Sequence, residues 1–198
     1  MKCVHDLTRE LNEHIPIFPG DPEFKIIQIN SIKNGNVYNL HEIHLTNHTG
    51  THIDFPRHVL EHGKTSSDFS LSNLMGEVLV IDCFVNSMQS ITKKFIENYQ
   101  QDILPGDFIF FKNSLFLEID AAQFLIDLGV RIVGVDGLSV DDISDSSLDV
   151  HKLLLGHDVL IVESLDLTSI KAQRWQTSIV PLKINNIDGL PARVFIWI

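Results

Sequence analysis

Cysteine is scarce in this chain. The 198 residues hold two, Cys3 and Cys83, and neither sits in a Cys-x-x-Cys pair. That excludes a disulfide framework and makes a reducing compartment the expected setting. Positive charge is also scarce: 15 lysines and arginines stand against 26 aspartates and glutamates, for a formal charge of −11. Such a balance argues against nucleic acid or an anionic membrane surface as partner. No apolar run approaches the roughly 18 residues that a membrane-crossing helix needs. The N-terminus, Met1-Lys2-Cys3-Val4-His5-Asp6, lacks the apolar region of a secretory signal. No Gly-x-Gly-x-x-Gly follows an apolar strand, which disfavours a nicotinamide enzyme. No repeat, low-complexity tract or linker divides the chain, so one domain over residues 1–198 is expected, large enough for a substantial core. Together these absences predict a soluble, cytoplasmic, acidic protein, and the lack of a large lid or second domain suits a small-molecule substrate.

Histidine, by contrast, is concentrated. Six of the ten histidines lie between His41 and His62. The centre of that region reads His48-Thr49-Gly50-Thr51-His52-Ile53-Asp54-Phe55-Pro56-Arg57-His58. Imidazoles and a carboxylate at this spacing are the ligand types that suit zinc or manganese. In an extended segment His52 and Asp54 point to the same side, because side chains alternate with period two. Gly50 frees the backbone to turn, so that His48 can join them. Three protein ligands with an open position are the pattern of a catalytic metal. His58, just past Pro56, is then a spare histidine suited to general acid–base work. Alternatively, histidines three or four apart mark an ordinary polar helix face, but Thr49-Gly50-Thr51 and Pro56 oppose a helix here. His41 and His44 fall on opposite faces of one strand and read as structural or surface residues. His62 reads as solvated.

The remaining pattern is that of a mixed α/β protein. Val4 to Leu11 reads as a strand or extended arm, followed by the stiff loop Ile15-Pro16-Ile17-Phe18-Pro19-Gly20-Asp21-Pro22. Phe24 to Ile29 and Tyr38 to Leu45 read as strands around the Asn34-Gly35-Asn36 turn. Glu77 to Val85 is an apolar strand of the kind covered on both faces. Thr92 to Gln100 reads as a helix and Phe108 to Phe111 as a strand. The helix over Asp120 to Leu128 has apolar residues at helical spacing, and Gly129 stops it. The strand Arg131 to Val135 follows, so this region predicts a right-handed β-α-β crossover. Asp136-Gly137-Leu138-Ser139 then forms a loop at a strand's C-terminal end, a usual place for functional groups. The acidic stretch Asp141 to Asp149 reads as a solvated loop, since the ligand spacing of an EF-hand is absent. Leu148 to Leu155 is a short helix carrying His151. Val159 to Val162 is a strand ending at Glu163, a charge after four apolar residues that either an exposed strand end or a metal explains. Thr177 to Ile184 and Ala192 to Trp197 close the chain as strands.

The run His48 to His58 resembles the His-x-Gly-Thr-His-x-Asp-x-Pro-x-His signature of the cyclase-like metal hydrolases, a family that includes bacterial kynurenine formamidase and isatin hydrolase. The similarity extends to Phe18-Pro19-Gly20-Asp21, to Ile132-Val133-Gly134-Val135-Asp136 with Ser139-Val140-Asp141, to His151 and Glu163 twelve positions apart, and to Gly189-Leu190-Pro191-Ala192-Arg193. The resemblance implies an α/β fold whose mixed sheet closes into a barrel-like core with flanking helices. It also implies a homo-oligomer, dimer or tetramer, holding one or two zinc or manganese ions. By position, His48, His52 and Asp54 would hold the first ion and Asp54, His151 and Glu163 the second. His58 would be the catalytic proton carrier, and Phe18 the aromatic that contacts substrate. The implied activity is hydrolysis of a C–N bond in an aryl formamide, amide or lactam by metal-activated water. Two departures stand out. Lys152 occupies the place of a second histidine, where a cation would repel a second metal or orient a substrate carboxylate. Lys112-Asn113-Ser114-Leu115 replaces a longer pocket loop. Two rival readings remain: a cyclase or dehydratase acting on a small acid at the same metal site, which a substrate screen separates, and a non-catalytic metal-binding module, which predicts a filled coordination sphere and no role for His58.

Overall fold

The structure is a computed structural model and describes residues 3–84 and 90–198. Its strands are β1 (Val4–Asp6), β2 (Lys25–Asn30), β3 (Leu40–His44), β4 (His52–Asp54), β5 (Met75–Asp82), β6 (Phe108–Lys112), β7 (Ile132–Val135), β8 (Leu160–Glu163), β9 (Arg174–Pro181) and β10 (Gly189–Trp197). Three helices, α1 (Lys93–Glu97), α2 (Ile119–Asp127) and α3 (Asp149–Gly156), alternate with the middle strands. The order β10-β4-β8-β7-β6-β5-β9 closes through a β9–β10 pairing, giving a seven-stranded barrel. One half, β5-β6-β7-β8, is parallel, and β4, β9 and β10 complete the ring antiparallel. The expected barrel-like α/β fold is therefore what forms.

The parallel half is built from the apolar runs. Val78, Leu79, Val80 and Ile81 of β5, Phe108 to Phe111 of β6 and Ile132, Val133 and Val135 of β7 are all buried. A strand covered on both faces needs such a run, and helices provide the outer cover. Thr92 caps α1 by accepting the Phe95 N–H, and Ala121, Ala122 and Leu125 give α2 its buried face. Arg193 of β10 pairs with Asp6 of β1, which ties the N-terminal strand to the barrel.

Some boundaries shift. The strand expected over Glu77 to Val85 starts at Met75 and ends at Asp82, and Val85 lies outside the described residues. The strand expected from Thr177 to Ile184 runs instead from Arg174 to Pro181. Its start is fixed by tertiary contacts: Trp175 is buried and Arg174 is clamped on Asp107 at 2.7 Å.

β2 and β3 form a separate two-stranded hairpin. Ile26, Ile27, Ile29, Leu40 and Ile43 of this hairpin, with Ile32, Val37, Tyr38 and Leu45 around it, are exposed. His41 and His44 are exposed as well, and His62 is in solvent as expected.

Candidate metal centre

Strand register assembles the site. β4 pairs antiparallel with β8, placing His52 opposite Glu163, and with β10, placing Asp54 opposite Gly189. Directly opposed residues share a face, so Glu163 meets His52 from 111 positions away in sequence. Asp54, two residues on, follows on that face. Gly50 has φ of +69° and carries the backbone tightly around, bringing His48 back beside Asp54. Pro56–His58 is a single 3-10 turn that starts with proline and presents His58 to the same point. α3 delivers His151.

Asp54 is the hub. It is fully buried, and neither carboxylate oxygen receives a hydrogen bond. Yet histidine nitrogens approach it from several sides. His48 Nδ1 is 2.8 Å from Oδ1, His52 Nε2 is 3.4 Å from Oδ1 and His151 Nε2 is 3.8 Å from Oδ2. His58 joins His48 and Asp54 in a group whose ligand atoms lie within 4.8 Å of one another. His52, Asp54 and Glu163 form a second such group. His151 Nε2 also lies 3.3 Å from Glu163 Oε1. The structure thus gathers all six residues named from the sequence. The tightest mutual groupings are His48–Asp54–His58 and His52–Asp54–Glu163, and Asp54 is common to both.

The outward nitrogens are all engaged. His52 Nδ1–H donates to the Gly50 carbonyl at 2.8 Å, and His151 Nδ1–H to Asp141 Oδ2 at 2.6 Å. His48 Nε2 and His58 Nδ1 both approach Asp188 Oδ2, at 3.1 and 3.3 Å. A ring nitrogen tied to a carbonyl or carboxylate, with its partner nitrogen aimed inward, is the arrangement of metal-binding histidines. A buried carboxylate that meets no hydrogen-bond geometry costs several kcal/mol unless the rings around it carry charge. A divalent cation removes that cost, so the residues fit a metal ion. The donor set is nitrogen and oxygen only, which suits a divalent cation of the imidazole- and carboxylate-binding kind rather than a thiolate-selected metal.

The electrostatics agree. Burial pulls His48 down, but Asp54 and Asp188 outweigh it and hold the ring at about 9. Burial likewise opposes charge on His52, where Asp54 and Glu163 outweigh it, and on His151, where Glu163, Asp141 and Asp54 do, so both rings are raised. Burial raises Asp54, and the surrounding histidines more than reverse this, so it stays ionised. His58 is the exception. Burial lowers it and Asp54 only partly compensates, so it is neutral at pH 7, the form a base requires.

Above the cluster lies a cavity of about 200 Å³. Pro16, Phe18, Leu138 and Leu148 supply its apolar wall, with Asp21, Ser139 and Ser164 as its polar points besides the histidines and Glu163. Phe18 is 38% exposed and faces this space, so it is no core residue. Ser164, directly after Glu163, sits at φ of +56°. Its carbonyl is held by Thr51 Oγ1 at 2.6 Å and by Arg9 Nε at 3.1 Å. Strain of this kind persists only where the surroundings over-determine it.

Two sequence expectations are corrected. Lys152 does not border the cavity: it is exposed on α3, with its Nζ on the Ser147 carbonyl at 2.6 Å. Successive helical residues point about 100° apart, so adjacency to His151 turns Lys152 outward. Asp141 is not part of a solvated loop. It is buried, accepts the Val150 and His151 N–H groups of α3 and orients His151. Asp136 is tied up by Asn113 and Ser114, bracing the short loop after β6. Asp188 is a site residue that sequence reasoning does not find. Its signal in the sequence is one of two Asp-Gly pairs, which reads as a turn between the last two strands.

Comparison with known proteins follows this geometry. The sequence profile of the family described as putative cyclase matches residues 5–142. A kynurenine formamidase from Bacillus mycoides is 32% identical over 201 residues, covering 96% of this chain and 95% of its own length. A solved structure described as a potential metal-dependent hydrolase with cyclase activity superposes with a TM-score of 0.85 at 31% identity, over 100% of this chain and 98% of that one. An isatin hydrolase shares the fold at a TM-score of 0.88 and 20% identity, over 98% of this chain and 92% of that one. A family profile matched over more than half the chain and relatives matched end to end place the protein: it belongs to the putative cyclase family.

Proposed function

We propose that the protein is a metal-dependent hydrolase of a small molecule's C–N bond, with an aryl formamide, amide or lactam as substrate. The observation that carries this is Asp54, a fully buried carboxylate whose oxygens meet no hydrogen-bond geometry, lying behind four histidines and Glu163 that line a small cavity. The kynurenine formamidases at 32% identity and the metal-dependent hydrolase at 31% support the reaction class.

In this reading His48, His52 and Asp54 hold a first zinc or manganese ion, and Asp54, His151 and Glu163 a second. Such an ion lowers the pKa of water and polarises a carbonyl. The chain supplies the rest. Phe18 and Leu138 hold the acyl-bearing ring against the apolar wall. His58, neutral and on the cavity side, takes a proton from the attacking water and returns it to the departing nitrogen, so that water adds across the C–N bond. Ser139 and Ser164 offer hydroxyls to the polar end of the substrate.

The same reading places the protein in one domain and, with two free cysteines, in the cytoplasm. It also makes the chain a homo-oligomer. The exposed hairpin supports this: a two-stranded ribbon is marginal alone, and Lys25 and Lys33 balance Glu23 and Glu42 there, whereas the chain as a whole carries −11. A second copy meets least repulsion at that apolar arm.

The test is His58→Ala. It should keep its metal by elemental analysis and lose turnover of an aryl formamide by roughly 10²–10⁴-fold, the contribution of a positioned acid or base. Loss of metal would make His58 a ligand. Unchanged kcat would remove the proposed proton carrier.

A further inference from the structure

Two of the four histidines at the site turn their outward nitrogens to one carboxylate. Asp188 Oδ2 lies 3.1 Å from His48 Nε2 and 3.3 Å from His58 Nδ1. The two rings sit face to face, tilted by 38°, with centroids 4.2 Å apart. The second oxygen, Oδ1, accepts Asn47 Nδ2 at 3.0 Å, and the same amide nitrogen stands 2.9 Å from His48 Nε2, so the amide donor and the carboxylate acceptor compete for that ring nitrogen. The backbone fixes this carboxylate independently of its side chain: the Asp188 carbonyl accepts the Phe55 N–H at 2.8 Å, and Gly189 begins the β10 pairing opposite Asp54. Gly189 is part of the arrangement, since a Cβ there would lie 2.4 Å from His48 Cε1. The carboxylate and the space for the His48 ring thus come from consecutive residues. Among the described residues, Asp188 is the hydrogen-bond partner of the His58 ring.

We propose that Asp188 is a positioning residue for both histidines, fixing the Nδ1–H tautomer of His58, whose ring it alone meets among the described residues, and, as the anionic acceptor against the neutral Asn47 amide, the Nε2–H tautomer of His48. A neutral imidazole has one donor and one acceptor nitrogen, and the hydrogen bond at one decides the other. With Nδ1–H held on Asp188, His58 presents the Nε2 lone pair to the cavity, where a base must offer it. With Nε2–H held there, His48 presents the Nδ1 lone pair to the Asp54 side, where a ligand must offer it. One acceptor oxygen therefore sets a proton carrier and a metal ligand in register.

Asp188→Asn exposes this dependence, because a carboxylate presents acceptors on both sides and an amide on only one. If the introduced amide turns its oxygen to the histidines, its NH₂ opposes the NH₂ of Asn47. If it turns its NH₂ to them, both rings must present lone pairs outward and adopt the wrong tautomers. Outer partners of metal-binding histidines contribute about 10–100-fold in metal affinity or activity.

The inference rests on His58 being the proton carrier, and two of its readouts need no substrate. In zinc-loaded wild type, long-range ¹H–¹⁵N spectra of labelled histidines should show His58 protonated at Nδ1 and His48 at Nε2. In D188N that pattern should be lost or mixed, and zinc affinity, read by competition with a chromophoric chelator, should fall about 10–100-fold. kcat on an aryl formamide should fall while KM stays within about threefold, the sign of an interaction lost in the transition state. In a D188N/N47A double variant the opposing amide is gone, so the wild-type tautomers and part of the activity should return. His58 protonated at Nε2 in wild type overturns the proposal even if D188N fails to fold. Wild-type tautomers and zinc affinity in D188N overturn it as well. Correct tautomers in a wild-type protein with no turnover would instead refute the hydrolase reading and leave Asp188's role intact.

Discussion

Stripping the metal should give this protein an alkaline instability whose size follows from His48. Its folded-state pKa is held at about 9 against an ordinary 6.5. The folded protein therefore binds a proton that the unfolded chain has released between those values. Stability from this group is fully present below pH 6.5 and disappears as pH rises through about 9. A rise of about 2.5 units at 1.36 kcal/mol each is worth roughly 3 kcal/mol. The ring is 18% exposed, so solvent screening takes little of this. His52 and His151 are raised by neighbouring carboxylates and push the same way. They share Asp54 with His48, so the three contributions do not add. His58 is lowered, and its effect lies below pH 6.5, outside this window.

The measurement is urea unfolding of chelator-treated protein at about pH 6.5, 7.5, 8.5 and 9.5, which brackets the two pKa values. The unfolding free energy should fall by about 3 kcal/mol across the series, a midpoint loss of about 1–2 M for ordinary urea slopes. Saturating zinc should reverse the trend, because the ion takes the place of those protons and binds better as they leave. His48→Gln should flatten the metal-free profile. A metal-free protein whose stability is level or rising across that series would refute the reasoning, as would an unchanged decline in His48→Gln.

Gly189→Ala should keep the fold, since Gly189 does not occupy the left-handed region, yet weaken zinc binding more than about tenfold by displacing His48; equal affinity in a chelator competition would contradict the crowding argument. Lys152→Ala should leave kcat/KM within about twofold, as expected of an exposed side chain, because its Nζ rests on Ser147 outside the cavity; a larger loss would return Lys152 to the site. At tens of micromolar the wild type should sediment as a dimer or larger and Ile43→Lys as a monomer with unchanged helix content, whereas a monomeric wild type would end the arm's proposed role.

The parts legible in the sequence are those set by local chemistry. Alternation alone puts His52 and Asp54 on one face, and the pair occupies a strand whose other side chain, Ile53, is fully buried. The apolar runs of β5, β6 and β7 announce the parallel half, and Gly129 marks the end of α2. Barrel closure is out of reach, because it depends on β9 pairing with both β5 and β10, and pairing partners leave no trace in the periodicity of either strand. The same limit hides Asp141 and Asp188. An aspartate before a short helix reads as a loop residue and an Asp-Gly as a turn, until the fold places a histidine ring against each. Lys152 misleads for the converse reason, since neighbours along a helix are not neighbours in space.

The outward partners of the four histidines show how metal and pocket are joined. They come from three segments: the Gly50 turn, the Ser139–Asp141 loop and the Asp188 bend. The second of these also lines the cavity through Ser139, and its Val140 N–H donates to Glu163 at 2.8 Å. One loop therefore orients His151, holds Glu163 and shapes the substrate wall. Arg9 joins the same framework from the N-terminal arm, through Ser164 and the Asp136 carbonyl. A change in pocket shape at this loop must move His151 or Glu163, both proposed to hold the metal. Substrate range in this chain is thus free to vary chiefly on the opposite wall, around Pro16 and Phe18, which belong to a separate segment and make no hydrogen bond to any histidine of the site among the described residues.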